Sequence, residues 1–174
     1  MSAPMLTVPM KSMVPIPQDT AGTCWLACFR MLYAWLERDA GGIQQKLSDA
    51  GVLWDDACKT GLKTKDYMTA ARALGLIAYG RGDSWTAGSF QQFLTVGPVW
   101  VAGRWMTDYS HNVVVIGASD DTIKFIGPWW EGAKEATVTT RSADWFISGN
   151  RKDAPGTDFY AGRIGAVQAC AKIW

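Results

Sequence analysis

The sequence predicts an α+β domain, with a helical first half packed on an antiparallel sheet formed by the second. Three observations carry this expectation. Between residues 24 and 36 the apolar set Trp25, Cys28, Phe29, Leu32, Tyr33 and Leu36 repeats at the three-and-four spacing of a buried helix face. From residue 98 the pattern changes to short β-prone runs over 99–102, 112–116 and 122–125, separated by turn residues. A length of 174 residues suits one domain with enough interior to fold without staples, expected to run over 1–174.

Residues 1–19 read as an extended, proline-punctuated arm lying along the body. Thr23 is the expected N-cap of the first helix, which ends near Arg38-Asp39 before Gly41-Gly42. A short helix is expected over 43–50, stopped by Gly51. Another is expected over 64–74, with Tyr67, Ala70, Ala71 and Leu74 on one face and Gly75 as its stop. A third, over 88–96, ends at Gly97, which puts the helical half at about 20–97 and the sheet half at about 98–174. Ala118-Ser119-Asp120-Asp121 reads as a hairpin tip. A further strand is expected over 136–140, then a short helix capped by Ser142 that carries Trp145 and Phe146, and a return strand within 159–167.

Composition narrows the function. With 17 Lys and Arg against 16 Asp and Glu, and no basic run interleaved with aromatics, nucleic acid is excluded as an expected partner. No segment is apolar for long enough to insert in a membrane, and MSAPMLTVPMKSMVPIPQ lacks the unbroken apolar core of a Sec signal. The expected location is therefore cytoplasmic, or outside the cell by a Sec-independent route. Cys24 and Cys28 lie one helical turn apart, with Cys58 and Cys170 distant, a spacing that implies reduced thiols rather than a disulfide framework. A metal at Cys24 and Cys28 would need two more soft ligands, and none is suitably spaced; no cofactor is expected. Ten tryptophans are assigned to core and site walls.

The chemistry concentrates at Cys24. A cysteine at a helix N-terminus meets the positive end of the helix dipole, which favours thiolate. A nucleophilic thiol also needs a base, and His111 is the only histidine in the chain. Gln18, on the preceding loop, can bring an amide N–H to the oxyanion of acyl transfer.

The run PQDTAGTCWLACFRMLYAW resembles the nucleophile segment of papain-like cysteine proteases, through its Gln-x5-Cys-Trp core. The run SHNVVVIGASDDTIKFIGPWW is similar to the second signature of that superfamily: a histidine opening a strand, a hairpin, then an Asn or Asp beside an aromatic. The closest likeness is to the compact bacterial avirulence-effector-type branch, over roughly residues 8–132. The resemblance implies a papain-like fold with the site between its two halves. It also implies that Cys24 is the nucleophile, His111 the general base and acid, and Gln18, with the Cys24 backbone N–H, the oxyanion donor. Trp25 and Trp129 are the implied substrate-binding aromatics.

At the third position of the family's triad an Asn or Asp orients the imidazole. The expected hairpin register sets Gly127 opposite His111, and glycine has no side chain to accept that bond. Asp120 and Asp121 lie about nine residues along the strand, too far to reach. A backbone carbonyl, a water or a side chain from elsewhere would then steer the ring. The reading is a cysteine-dependent acyl-transfer hydrolase, most simply a peptidase acting on protein or peptide, and a bacterial effector or toxin with an immunity or host protein as partner. The alternatives are an impaired enzyme used as an interaction module, or a Cys-His amidase or deamidase.

Overall fold

From Cys24 through Tyr33 every residue except Arg30 is buried, so the first helix, α1 (Cys24–Trp35), is wrapped by the rest of the chain on nearly all sides. The computed structural model describes residues 4–8, 13–80, 85–105, 110–129, 134–147 and the backbone of 164–169. Cys170, Trp130 and the start of the expected return strand, 159–163, lie outside the described residues.

α1 stops earlier than its apolar stripe. Glu37 takes a left-handed φ of 57°, and the Arg38 N–H bonds back to the Tyr33 carbonyl at 2.9 Å, a Schellman closure without glycine. Three more helices follow: α2 (Ile43–Asp49), α3 (Trp54–Thr60) and α4 (Tyr67–Ala73), the last entered through a 3-10 turn at Thr64–Asp66. Gly51, Gly61 and Gly75 close them with φ of 88°, 90° and 67°. α3 was not expected from the sequence. α5 (Ala87–Leu94) begins with a capping box between Thr86 and Ser89, and α6 (Ala143–Ile147) follows Ser142, whose hydroxyl accepts from the Trp145 N–H at 3.2 Å.

The sheet is antiparallel throughout and gathers strands from both halves of the chain. These are β1 (Leu6–Thr7), β2 (Ile77–Gly80), β3 (Val99–Gly103), β4 (His111–Ala118), β5 (Thr122–Gly127), β6 (Thr137–Ser142) and β7 (Ile164–Ala169). Their order is β2-β7-β3-β4-β5-β6, with β1 beside β4 at Gly117 and Ala118, beyond the end of β3. Leu6 and Thr7 of the expected arm thus lie against β4. The helical half also contributes one strand to the sheet, β2, at its edge beside β7.

Helices cover both faces of the central strands. Cross-strand partners share a face, so Trp100 and Val114 face one way, and Val99, Val115 and Phe125 the other. On the first face Phe29 of α1 stacks on Trp100, with ring centres 5.3 Å apart, and Tyr67 of α4 meets the same ring edge-on at 5.1 Å. On the second, Phe146 of α6 packs between Phe125 and Phe90 of α5. Two covered faces explain why β4 reads as a continuous apolar run, Val113-Val114-Val115-Ile116, rather than alternating. α1 starts where β4 starts, so the first residues of both elements meet at one end of the sheet.

Candidate active site

The loop entering α1 is built to present Cys24. Its Thr20-to-Thr23 turn closes through the backbone at 3.1 Å. The Thr23 hydroxyl is spent on that turn, accepting from the Thr20 N–H at 2.9 Å and donating to the Thr20 carbonyl at 3.0 Å. Thr23 does occupy the N-cap position, but its side chain does not cap the helix. The amides of Cys24 and Trp25 are left for the sulfur of Cys24. Gly22 fits against the end of α3 so closely that a Cβ there would lie 2.5 Å from the Cys58 carbonyl oxygen. An exposed Asp19–Arg30 ion pair of 2.8 Å ties the same loop to the flank of α1.

Cys24 opens into a cleft of about 770 Å³. Gln18 and Gly22 line it from the loop, residues 60–64 and Tyr67 from the stretch running from the end of α3 to the start of α4, and Ser110, His111, Asn112 and Trp129 from the sheet side. Lys63, on that wall, is paired with Asp56. Gln18, Cys24 and His111 are thus brought to one cavity, as is Trp129. Trp25 is not. It is fully buried, donates its indole N–H to the Ala57 carbonyl at 3.0 Å and packs edge-on to Phe29 and Trp54. Residue 25 follows the nucleophile inside the helix and so points into the core; its expected substrate-binding role is corrected to packing. Cys28, one turn on, is likewise fully buried.

Burial dominates the electrostatics. Cys24 is 7% exposed, and loss of water pushes its thiol up to about 11. Three backbone N–H groups, of Asn112, Trp25 and Cys24 itself, act in the opposite direction and are outweighed. The helix N-terminus thus favours thiolate as expected, and burial outweighs it. His111 is 2% exposed, and burial takes its imidazole down to about 4, while a hydrogen bond to the Trp129 backbone carbonyl favours the charged form. At neutral pH the resting pair is thiol and neutral imidazole. The thiol proton has a defined acceptor: Sγ donates to Oδ1 of Asn112 at 3.3 Å.

The hairpin register differs from the expected one. Ala118 pairs with Ile123, so the tip is Ser119 to Asp121 and Ala118 belongs to the strand; a bulge between Val115 and Gly117 then shifts the ladder by one. Val114 faces Ile126, and continuing this register sets Gly127 against Val113 and Trp129 against His111. Gly127 is thus not opposite the histidine. The ring is held by the Trp129 backbone, a steering that does not depend on the side chain at 127. Asp120 and Asp121 stay at the tip, bonded to Gln91 and Ser119.

Gln18 is 6% exposed and donates Nε2–H to the Thr20 carbonyl at 2.7 Å. The amide nitrogen carries a second hydrogen, and Oε1 has no hydrogen-bond partner among the described residues. The residue that sequence reasoning missed is Asn112. The sequence marks it only as a lone amide after His111 at the head of an apolar strand, a place that any polar strand residue could take. Among the described residues no cluster of three or more His, Cys, Asp or Glu side chains could hold a metal. No curated protein matches the chain. A family model described as papain-like cysteine protease AvrRpt2 matches residues 3–151.

Proposed function

The chain belongs to the papain-like cysteine protease family of the AvrRpt2 type, and we propose that it is a peptidase using Cys24 as nucleophile and His111 as general base and acid. The observation that carries this reading is the convergence of Gln18, Cys24 and His111 on one cleft, with Cys24 at the start of α1. The thiol proton passes to the imidazole, and Sγ, as thiolate, attacks the scissile carbonyl. The Cys24 N–H and the second Nε2 hydrogen of Gln18 receive the oxyanion. The imidazolium returns its proton to the leaving amine, and water, deprotonated by His111, hydrolyses the thioester. The Trp129 carbonyl steadies the imidazolium while it exists. Trp129 itself lines the substrate's path.

In the biological reading, the substrate is a protein or peptide and the chain is a bacterial effector or toxin, delivered by a Sec-independent route and met by an immunity protein or host target. No helix among the described residues is long and apolar enough to cross a membrane. A second reading, an interaction module on the same fold, draws on the strongly neutral resting state of Cys24 and His111. Incubation with a complex peptide pool, with new termini read by mass spectrometry, separates the two. Cys24→Ala and His111→Ala should each reduce cleavage by at least about a thousandfold. Cleavage that survives Cys24→Ala contradicts the peptidase; side-chain deamidation without new termini would make the chain an amidase of the same mechanism.

A further inference from the structure

Catalysis by Cys24, His111 and Gln18 leaves one buried amide beside the sulfur without a task. Asn112, second residue of β4, is 6% exposed and lines the cleft. Its Oδ1 accepts from Sγ of Cys24 at 3.3 Å, and its Nδ2 is buried with no hydrogen-bond partner among the described residues. An amide with its acceptor engaged and its donors idle matches a thiol, which offers a proton. It does not match a thiolate, which needs one. Once Cys24 is deprotonated, Oδ1 would face a negative sulfur. The idle Nδ2–H lies one rotation about Cβ–Cγ away, a torsion with broad, roughly two-fold preferences.

We propose that Asn112 is a positioning residue for the nucleophile, its carboxamide accepting from the Cys24 thiol at rest and turning over to donate Nδ2–H to the thiolate. This rests on the reading of Cys24 as nucleophile. The proton balance is closed: the S–H bond breaks, the proton passes to His111, and Asn112 neither gains nor loses one. The exchange favours ionisation, because an N–H bond to a charged sulfur is stronger than a neutral S–H bond to an amide oxygen. The backbone N–H of the same residue already acts in that sense. Among the described residues, the other titratable or charged groups around Cys24 are His111 on β4, Cys28 one turn along α1, and Tyr67 and Lys63 on the opposite wall. A substitution at 112 leaves all of them in place.

The test is the rate of iodoacetamide alkylation at Cys24 in the full chain at about pH 8, located by peptide mass spectrometry. An ionised Asn112→Asp side chain accepts but does not donate, and Asn112→Leu does neither at similar size. Both should alkylate about tenfold more slowly than the unsubstituted chain, in protein whose melting confirms that it is folded. A folded variant alkylating within about twofold of the unsubstituted rate overturns the proposal. A second measurement needs no substitution at 112. In the native chain the Asn112 side-chain amide resonances should shift with Cys24 ionisation, and in Cys24→Ser they should not; resonances indifferent to Cys24 ionisation also overturn it. Failure of the nucleophile reading looks different, since His111→Ala would then leave Cys24 alkylation unchanged while the Asn112 dependence persists.

Discussion

His111 and Cys24 are held neutral by the same burial that shapes the cleft, and for His111 that has a consequence for stability. Its pKa is 6.5 in the unfolded chain and about 4 in the fold. Between those values the unfolded state binds more protons, so stability falls as pH is lowered through this window and levels off below it. The loss amounts to about 3 kcal/mol at most. Melting temperature measured across the window should fall more steeply for the unsubstituted chain than for His111→Gln, which does not titrate; parallel curves would show that His111 is not buried as described. At this scale the sequence exposed the reactive residues through their chemistry, a lone histidine and a cysteine opening a helix. It hid Asn112 and the Trp129 carbonyl. The first looks like any polar strand residue, and the second is a backbone group whose position depends on a bulge that no single residue announces.

Among the elements, α1 and the α3 terminus behave as one unit. Gly22 sits where any Cβ would strike the Cys58 and Lys59 carbonyl oxygens, at 2.5 and 2.8 Å, and backbone cannot yield as a flexible side chain can. Gly22→Ala should therefore move the loop that carries Gln18 and Cys24. The expected result is a loss of roughly 1–3 kcal/mol in stability, together with a fall in kcat beyond what unfolding explains. Gly42→Ala, where a Cβ meets only the Lys46 side chain at 4.0 Å, serves as the control. Denaturant melts and steady-state rates on the two variants check this, and equal behaviour would contradict the packing. The legible elements were α1 from its stripe, α2 and α4 from their glycine stops, and β3 to β5 from their apolar runs. α3 and β2 were not. Each is short, with few buried positions to set a period, and their form is decided by what they pack against.

For the whole molecule, the expected α+β arrangement of helices packed on an antiparallel sheet holds, and the two kinds of element interleave along the chain. β1 and β2 carry early residues into the sheet, and α6 adds a late helix to its second face. The arrangement that matters for chemistry is the meeting of the starts of α1 and β4 at one end of the sheet, with a cleft between loop and strand. Local pattern could predict both starts; their meeting depends on a long-range packing that periodicity does not encode. The central claim is that this meeting makes Cys24 a nucleophile served by His111. Its most direct test is the mass of the intact chain after reaction with a peptidyl epoxide, followed by location of the adduct. A single adduct on Cys24, lost in His111→Ala protein that remains folded, is the predicted result. No adduct on the folded chain, or equal labelling of Cys24 without His111, would contradict it.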